Sequence, residues 1–253
     1  MHDFLDVAYH EGLIDWTKVP GKGGVVKAGD GYFMPVELVN GTWYFYTSDP
    51  NKRWHYDPYF VRNWKGLEGA EVRGAYWFVR LNYDRRLFDP DATMQRQAQL
   101  FYEIVSKNGL RSTDYIVADL EQTISQTSYL TFQQRRERVR LFLDECERLF
   151  ATRPIIYTYP FWWPESIGTA GWELDYKLWI ANYGVTKPLI PKPWTKYWAW
   201  QYSASGAVAG VPGAVDLNVV GVDYSPVVVQ PPTEPSDEEK LDILWAEYKA
   251  THP

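Results

Sequence analysis

Eight short apolar runs recur along the chain and constrain its fold more than any other feature. Each run has the length of a β-strand and is shorter than a typical buried helix. The predicted strands occupy residues 2–9, 24–28, 73–80, 115–121, 154–159, 177–183, 197–203 and 215–220. Their spacing leaves room for helices between the earlier runs but not between the last three.

Helical patterns separate the earlier runs. One covers residues 91–108, where Gly109 supplies a stop signal, and another covers 131–151. Strands and helices that alternate in this way predict an α/β barrel with parallel strands. The last part of the chain should be mostly strand. The Gly- and Ala-rich loop at 204–213 is predicted to join the final two strands as a hairpin.

The 253 residues are enough for one large barrel or two small domains, and the composition changes near the C-terminus. We expect a barrel domain at 1–225 and a proline-rich linker at 226–235. A short amphipathic helix is predicted at 236–253, opening with a capping box at Ser236–Glu239. We expect this helix to serve in docking or self-association, or else to pack on the barrel of its own chain.

Charge and composition exclude several classes of protein. A formal net charge of −6 argues against nucleic-acid binding, and no apolar run is long enough to cross a membrane. The N-terminal residues predict no secretory leader. The single cysteine, Cys146, allows no internal disulfide and is predicted to be a packed thiol. The four histidines form no metal-ligand spacing with it, so we expect neither a metal nor a cofactor.

Two carboxylates end the apolar run at 115–121. Positions i and i+2 of a strand face the same way, so Asp119 and Glu121 should project into one site. Neighbouring acids shift each other's pKa, which allows one to remain protonated while the other is ionised. Cleavage of a glycosidic bond needs that division of roles. The Asp-x-Glu pattern is common, however, and predicts little by itself.

Two further acids should join this pair. In a barrel of this kind the chemistry occurs at the C-terminal ends of the parallel strands. If the last strand returns antiparallel, Asp216 near its start lies at the same face, and Asp6 near the end of the first strand does so too. The topology therefore predicts four carboxylates at one mouth of the barrel.

The aromatic content favours a carbohydrate cleft. The chain contains 13 Trp and 19 Tyr, and such rings stack on sugar faces while their polar tips bind hydroxyls. Large barrels also bury many aromatic residues, so most individual rings belong to the core. An aromatic stretch at 32–56 is predicted to form either a hairpin beside the cleft or a covering flap.

These segments resemble the family 25 glycoside hydrolases, the lysozyme (N-acetylmuramidase) family of phage endolysins and bacterial autolysins. The resemblance extends from Asp6 to Asn218 and rests on the order and spacing of short motifs. The matching segments are Leu5–Gly12, Ile14–Trp16, Gly74–Phe78, Asp119–Glu121, Pro154–Thr158, Leu178–Tyr183, Trp200–Ser203 and Val215–Asn218. It implies a modified TIM-like barrel, (β/α)5β3, with five β/α units and three further strands.

The resemblance also implies an activity and a site. The expected reaction is cleavage of the β-1,4 bond between N-acetylmuramic acid and N-acetylglucosamine in peptidoglycan. Glu121 matches the general acid, Asp119 its carboxylate partner, and Asp6 and Asp216 the remaining acids. In one version of the mechanism, Asp119 orients the substrate's own N-acetyl group for attack on the anomeric carbon. In the other version, Asp6 or Asp216 activates water in an inverting displacement. Substrate-binding positions fall at Tyr76, Phe78, Tyr157, Tyr183, Trp200, Gln201 and Asp30.

The chain departs from the family pattern in two places. Ala8 and Glu11 replace the usual Ser and Gln, and Asp30 replaces a Glu. These changes bear on substrate preference more than on chemistry. The alternatives are a non-catalytic wall-binding module and a hydrolase of chitin-like polymers. We expect a phage-encoded enzyme that accumulates in the host cytoplasm and then acts on the wall, or a secreted or virion-associated one. A further wall-binding domain is a possible partner of the C-terminal helix.

Overall fold

The computed structural model describes residues 2–21, 23–31, 37–39, 42–44, 56–82 and 90–221. Its strands are β1 (Phe4–Val7), β2 (Gly23–Asp30), β3 (Glu37–Val39), β4 (Thr42–Tyr44), β5 (Val72–Phe78), β6 (Tyr115–Asp119), β7 (Ile155–Thr158), β8 (Leu178–Ala181), β9 (Ala199–Gly206) and β10 (Val215–Val220). The α-helices are α1 (Phe60–Gly66), α2 (Pro90–Lys107), α3 (Ile124–Thr127), α4 (Phe132–Phe150) and α5 (Trp162–Ser166). Short 3-10 helices cover Tyr9–Glu11 and Trp172–Asp175.

Eight of these strands close into a barrel in the order β1-β10-β9-β8-β7-β6-β5-β2. Neighbouring strands are parallel from β1 through β2 and β5 to β9, whereas β10 is antiparallel to both β9 and β1. The predicted modified TIM-like barrel is therefore confirmed, including the final hairpin. Because β9 continues to Gly206, the loop of that hairpin is shorter than the predicted 204–213.

Strand alternation divides the core into two layers. The side chains that pack inside the barrel include Phe4, Val25, Val117 and Trp179. Their neighbours along the strands pack outside it, in a cluster that also includes residues of α2 and α4; these neighbours include Leu5, Val26, Ile116 and Ala118. The odd–even pattern directs Asp6 of β1 and Asp119 of β6 inward, at the C-terminal ends of their strands. The mouth of the barrel is thus lined with acids.

The predicted long helices are both present, and local signals explain their ends. The Thr131 side chain accepts a hydrogen bond from the Gln134 N–H and caps α4, while Ala151 ends it in a left-handed conformation. Cys146 is buried on this helix, as predicted. Within the described ranges no helix combines the length and apolar character needed to cross a membrane.

Some predictions fall mainly outside the described residues. The linker at 226–235 and the helix at 236–253 lie wholly beyond them, and so does most of the aromatic stretch at 32–56. Within that stretch, β3 and β4 pair antiparallel, with Leu38 opposite Trp43. Tyr56 forms an isolated antiparallel bridge with Gly29 of β2.

Candidate active site

One pocket at the mouth of the barrel collects all four predicted carboxyl groups. It is lined by Asp6, Tyr76, Val117, Asp119, Glu121, Tyr157, Trp179 and Asp216. These residues come from segments distant in sequence and meet because neighbouring strands end at the same edge. Asp6 and Asp216 are direct partners in the antiparallel register of β1 and β10. Across the described part of the chain, no group of three or more His, Cys, Asp or Glu is arranged to hold a metal ion.

Asp119 and Glu121 share the pocket but differ in their environments. Asp119 is the last residue of β6 and is buried, whereas Glu121 lies two residues beyond the strand and is partly exposed. Burial and the charge of Glu121 raise the pKa of Asp119 well above its usual range. Burial also raises the pKa of Glu121, and the Lys27 charge opposes that rise. The pKa of each group is therefore raised, and only that of Asp119 is raised by the charge of its partner.

One oxygen of Asp119 has no hydrogen-bond partner among the described residues. Its Oδ1 atom is fully buried and accepts no hydrogen bond from the described residues. A buried acceptor without a donor is costly, and a functional role is one explanation of it. The Asp119 side chain lines the pocket, so this unsatisfied oxygen lies beside the candidate site.

The second carboxyl pair, Asp6 and Asp216, is held by amides. Asp6 Oδ2 accepts hydrogen bonds from Gln201 Nε2 at 2.8 Å and from Asn218 Nδ2 at 2.7 Å. Burial and the Asp216 charge raise the pKa of Asp6 well above its usual range, against the effect of those donors. Burial also raises the pKa of Asp216, and its hydrogen bond with Asp6 opposes the rise.

A buried lysine lies among the acids and was not predicted as a site residue. Lys27 Nζ is 3.7 Å from Asp30 Oδ2 and 5.2 Å from the centre of the Phe78 ring. Its charge lowers the pKa values of Asp119 and Glu121. The signal available in the sequence was a lysine inside the otherwise apolar segment of β2, where a buried charge implies opposite charges nearby.

Asp30, predicted to bind substrate, is used within the protein. Its two carboxylate oxygens accept hydrogen bonds from Arg80 Nε at 2.7 Å and Arg80 Nη2 at 2.8 Å. Asp30 is buried, and the Arg80 guanidinium lies 4.0 Å from the centre of the Phe78 ring. This arrangement does not favour direct sugar contact by Asp30, because both its oxygens are already bonded to a cation.

The other predicted substrate-binding residues occupy different depths. Tyr76 and Tyr157 line the pocket, and Tyr183 is 48% exposed. The Trp200 indole N–H donates to the Asn182 carbonyl at 2.8 Å. Gln201 is fully buried beneath the acids, so its placement does not favour the predicted sugar contact.

Trp179 and Asn218 are site residues that sequence reasoning did not single out. Trp179 lines the pocket, and its indole N–H donates to Asn218 Oδ1 at 2.8 Å. That bond leaves the Asn218 amide nitrogen to donate to Asp6 Oδ2 and, at 3.4 Å, to the Phe4 carbonyl. Both residues lie in motifs quoted above, but only the barrel register shows that they meet.

Comparison with known proteins identifies the family. The model of glycosyl hydrolases family 25 matches residues 5–211, most of the chain, and the protein belongs to this family. Lysozyme M1 of Streptomyces globisporus is 27% identical over 224 residues, which are 85% of this chain and 66% of that protein. YegX of Escherichia coli K12, an uncharacterized protein, is 30% identical over 166 residues. That match covers 64% of this chain and 53% of YegX, so the chain spans about half the length of this relative.

A solved structure supports the same assignment. The bacterial lysozyme from Streptomyces coelicolor superimposes with a TM-score of 0.65 and 25% sequence identity. The match covers 87% of this chain and 92% of the other. The barrel is thus the fold of a glycoside hydrolase family.

Proposed function

We propose that the protein is a peptidoglycan hydrolase that cleaves the β-1,4 bond between N-acetylmuramic acid and N-acetylglucosamine. The observation that carries the proposal is the pocket itself, where Asp6, Asp119, Glu121 and Asp216 meet beside aromatic side chains. Family membership and the similarity to lysozyme M1 support this substrate class. Binding alone has no use for four mutually repelling acids, because each costs free energy to bury.

Glu121 is the proposed general acid that protonates the departing glycosidic oxygen. Burial raises its pKa, which keeps a proton available, and its partial exposure allows contact with a sugar chain. The nearby Lys27 charge limits that rise, so the proton remains transferable. Tyr159, whose own pKa is raised by burial and by the Glu121 charge, is a neighbour of this acid on the β7 side.

Asp119 is the proposed partner that acts through the substrate. Its side chain lines the pocket, so its carboxyl group can accept the N–H of the substrate's N-acetyl group. Such a bond would orient the acetyl oxygen toward the anomeric carbon, and the carboxylate would stabilise the positive charge that develops there. This is the substrate-assisted route. In the alternative route, Asp6 or Asp216 activates water for an inverting displacement.

Replacement of Glu121 by Gln tests the acid. We expect turnover to fall by about 10²- to 10⁴-fold, because Gln keeps the shape but cannot donate a proton to the leaving group. Purified peptidoglycan is digested, and the products are reduced with borohydride and identified by mass spectrometry. The matched control is Glu137→Gln, an exposed carboxyl on α4 that should leave turnover unchanged.

The products decide between the proposed function and its rivals. New reducing ends at N-acetylmuramic acid, formed by wild type and the control but not by Glu121→Gln, support a muramidase. Cleavage of chitin with no cleavage of peptidoglycan would indicate the chitin-type enzyme. Wall binding with no products from wild type would indicate a binding module.

A further inference from the structure

Gln201 lies at the centre of a closed hydrogen-bond network beneath the pocket. Its side chain is fully buried. The Oε1 atom accepts hydrogen bonds from the hydroxyls of Tyr157, at 2.8 Å, and of Tyr183. The Nε2 atom donates to Asp6 Oδ2 at 2.8 Å and to Asp216 Oδ2 at 3.1 Å.

The two tyrosines fix the orientation of this amide. In the arrangement shown, each phenol O–H donates to the amide oxygen, which leaves both N–H groups for the carboxyls. The opposite orientation would direct the amide oxygen at two acids and the N–H groups at two hydroxyls. An ionised carboxylate can only accept hydrogen bonds and would repel the amide oxygen, so the network favours the first arrangement.

The acids bound by Gln201 cannot both be charged at low cost. Asp6 and Asp216 are paired across adjacent strands in a buried setting, where two close carboxylates share one proton. Asp6 is the more buried of the two, at 8% exposure, and one of its oxygens is occupied by two amide donors. Its other oxygen can carry the proton and donate a hydrogen bond to Asp216, which is partly exposed.

We propose that Gln201 is a positioning residue that holds Asp6 and Asp216 as an acid–carboxylate pair, with Asp216 as the charged member toward substrate. This inference rests on the proposed glycosidase function and deepens it. It assigns Asp216, rather than Asp6, as the carboxylate able to accept a proton from water. Tyr183 links this pair to the rim of the pocket, because its ring is half exposed while its hydroxyl contacts the buried amide.

Other ionisable groups surround the pair and influence both members. Those whose charges interact with Asp6 or Asp216 are Glu11 after β1, Tyr76 on β5, Asp119 on β6, Glu121 beyond it, Tyr157 on β7 and Tyr183 after β8. Lys27 on β2 acts on the neighbouring acids Asp119 and Glu121. The test therefore follows the two carboxyls directly.

The test is carbon-13 NMR titration of protein labelled at aspartate side-chain carboxyls, with Asp6→Asn and Asp216→Asn used for assignment. In wild type, Asp216 should ionise at a lower pH than Asp6. In Gln201→Met, loss of the N–H donors should move both ionisations upward by about one pH unit. The acid limb of the pH–rate profile should move in the same direction, with a lower kcat and little change in KM.

Two variants separate positioning from a structural role. Asn63→Leu removes another buried amide, which lies away from the pocket. The Asn63 side chain accepts a hydrogen bond of 3.1 Å from the Trp16 indole N–H. It should lower Tm without moving either carboxyl signal. If Gln201→Met does not fold, Tyr183→Phe removes one hydroxyl that orients the amide and should cause a smaller shift in the same direction.

The outcomes separate this proposal from the proposed function. The positioning role would be overturned if the carboxyl signals did not move in Gln201→Met. If only Tyr183→Phe folds, the same criterion applies to that variant. Ionisation of Asp6 below Asp216 would overturn the assigned order. Absence of peptidoglycan cleavage by wild type would refute the proposed function, while the NMR titration would still decide whether Gln201 holds the pair.

Discussion

Individual acids in this protein take their properties from what surrounds them. Asp57 illustrates this outside the pocket, because it is buried and accepts backbone N–H groups from Tyr9 at 2.9 Å and Tyr59 at 2.8 Å. Burial raises its pKa to about 6, and those two donors reduce the rise. The same balance of burial against donors governs Asp6. Glu11, at a position where the family usually has Gln, accepts the Ala8 N–H at 2.7 Å and adds another partly buried acid.

Asp57 should make the fold less stable as the pH rises. Its pKa in the folded protein exceeds the ordinary value of 3.8, so its contribution is complete below that value and is lost as pH passes through about 6. A shift of this size corresponds to about 3 kcal/mol between pH 3.5 and 7.5. Denaturant unfolding at several pH values should show a loss of stability in wild type that is about 3 kcal/mol smaller in Asp57→Asn, where only the other buried acids contribute. An equal pH dependence in both proteins would contradict the prediction.

Among the elements, α4 organises the loops that follow β6 and β7. Arg135 is buried on this helix, and its guanidinium donates to three carbonyl oxygens outside it. These bonds reach Ser166 O at 2.8 Å, Leu130 O at 2.7 Å and Thr127 O at 3.2 Å. One side chain therefore joins the ends of α3 and α5 to α4. The loop containing Glu121 leads into α3, so this anchor also supports the pocket.

Arg135→Leu should destabilise the protein by about 3 kcal/mol or more, because three buried carbonyls lose charged donors. Lys107→Leu on α2 is the control. Its ammonium pairs with Glu103 at 2.6 Å, and the two side chains are 67% and 40% exposed, so its removal should cost less than about 1 kcal/mol. Chemical denaturation measures both. Similar losses for the two variants would show that the buried network contributes no more than a surface ion pair.

At the scale of the whole molecule, closure of the barrel joins the two ends of the described chain. β1 pairs with β2 on one side and with β10 on the other, so Phe4 lies opposite Asn218. The Asn218 amide then contacts Asp6, and the Asp3 carboxylate accepts the Val220 N–H at 2.8 Å. A site carboxylate is thus positioned by a residue 212 positions away along the chain.

A protein ending at residue 225 should fold and retain activity on peptidoglycan. All eight barrel strands, both long helices and every residue that lines the pocket lie before residue 221, so truncation removes none of them. Thermal unfolding and peptidoglycan digestion would measure the result against the full chain. Size-exclusion chromatography of both proteins would test the predicted association through 236–253. Loss of cooperative unfolding on truncation would contradict the domain boundary.

The sequence by itself determined the strands, the long helices and the acid pair near the end of β6. These features depend on residues that are close in sequence. They follow from local periodicity, from helix caps such as Thr131, and from the residues at which each strand ends. The expected antiparallel return of the last strand also predicted that Asp6 and Asp216 reach the mouth. The local pattern was enough to place these acids together, because the ends of neighbouring strands lie at the same edge of the barrel.

Only the tertiary structure decided what those acids contact. The Gln201 amide reaches Asp6 across 195 positions of sequence, and Arg80 pairs with Asp30 across 50. Neither pairing follows from periodicity, because it depends on strand register and on which side chains meet at the bottom of the pocket. Burial likewise depends on the packed barrel, and it is burial that raises the pKa values of the site carboxyls.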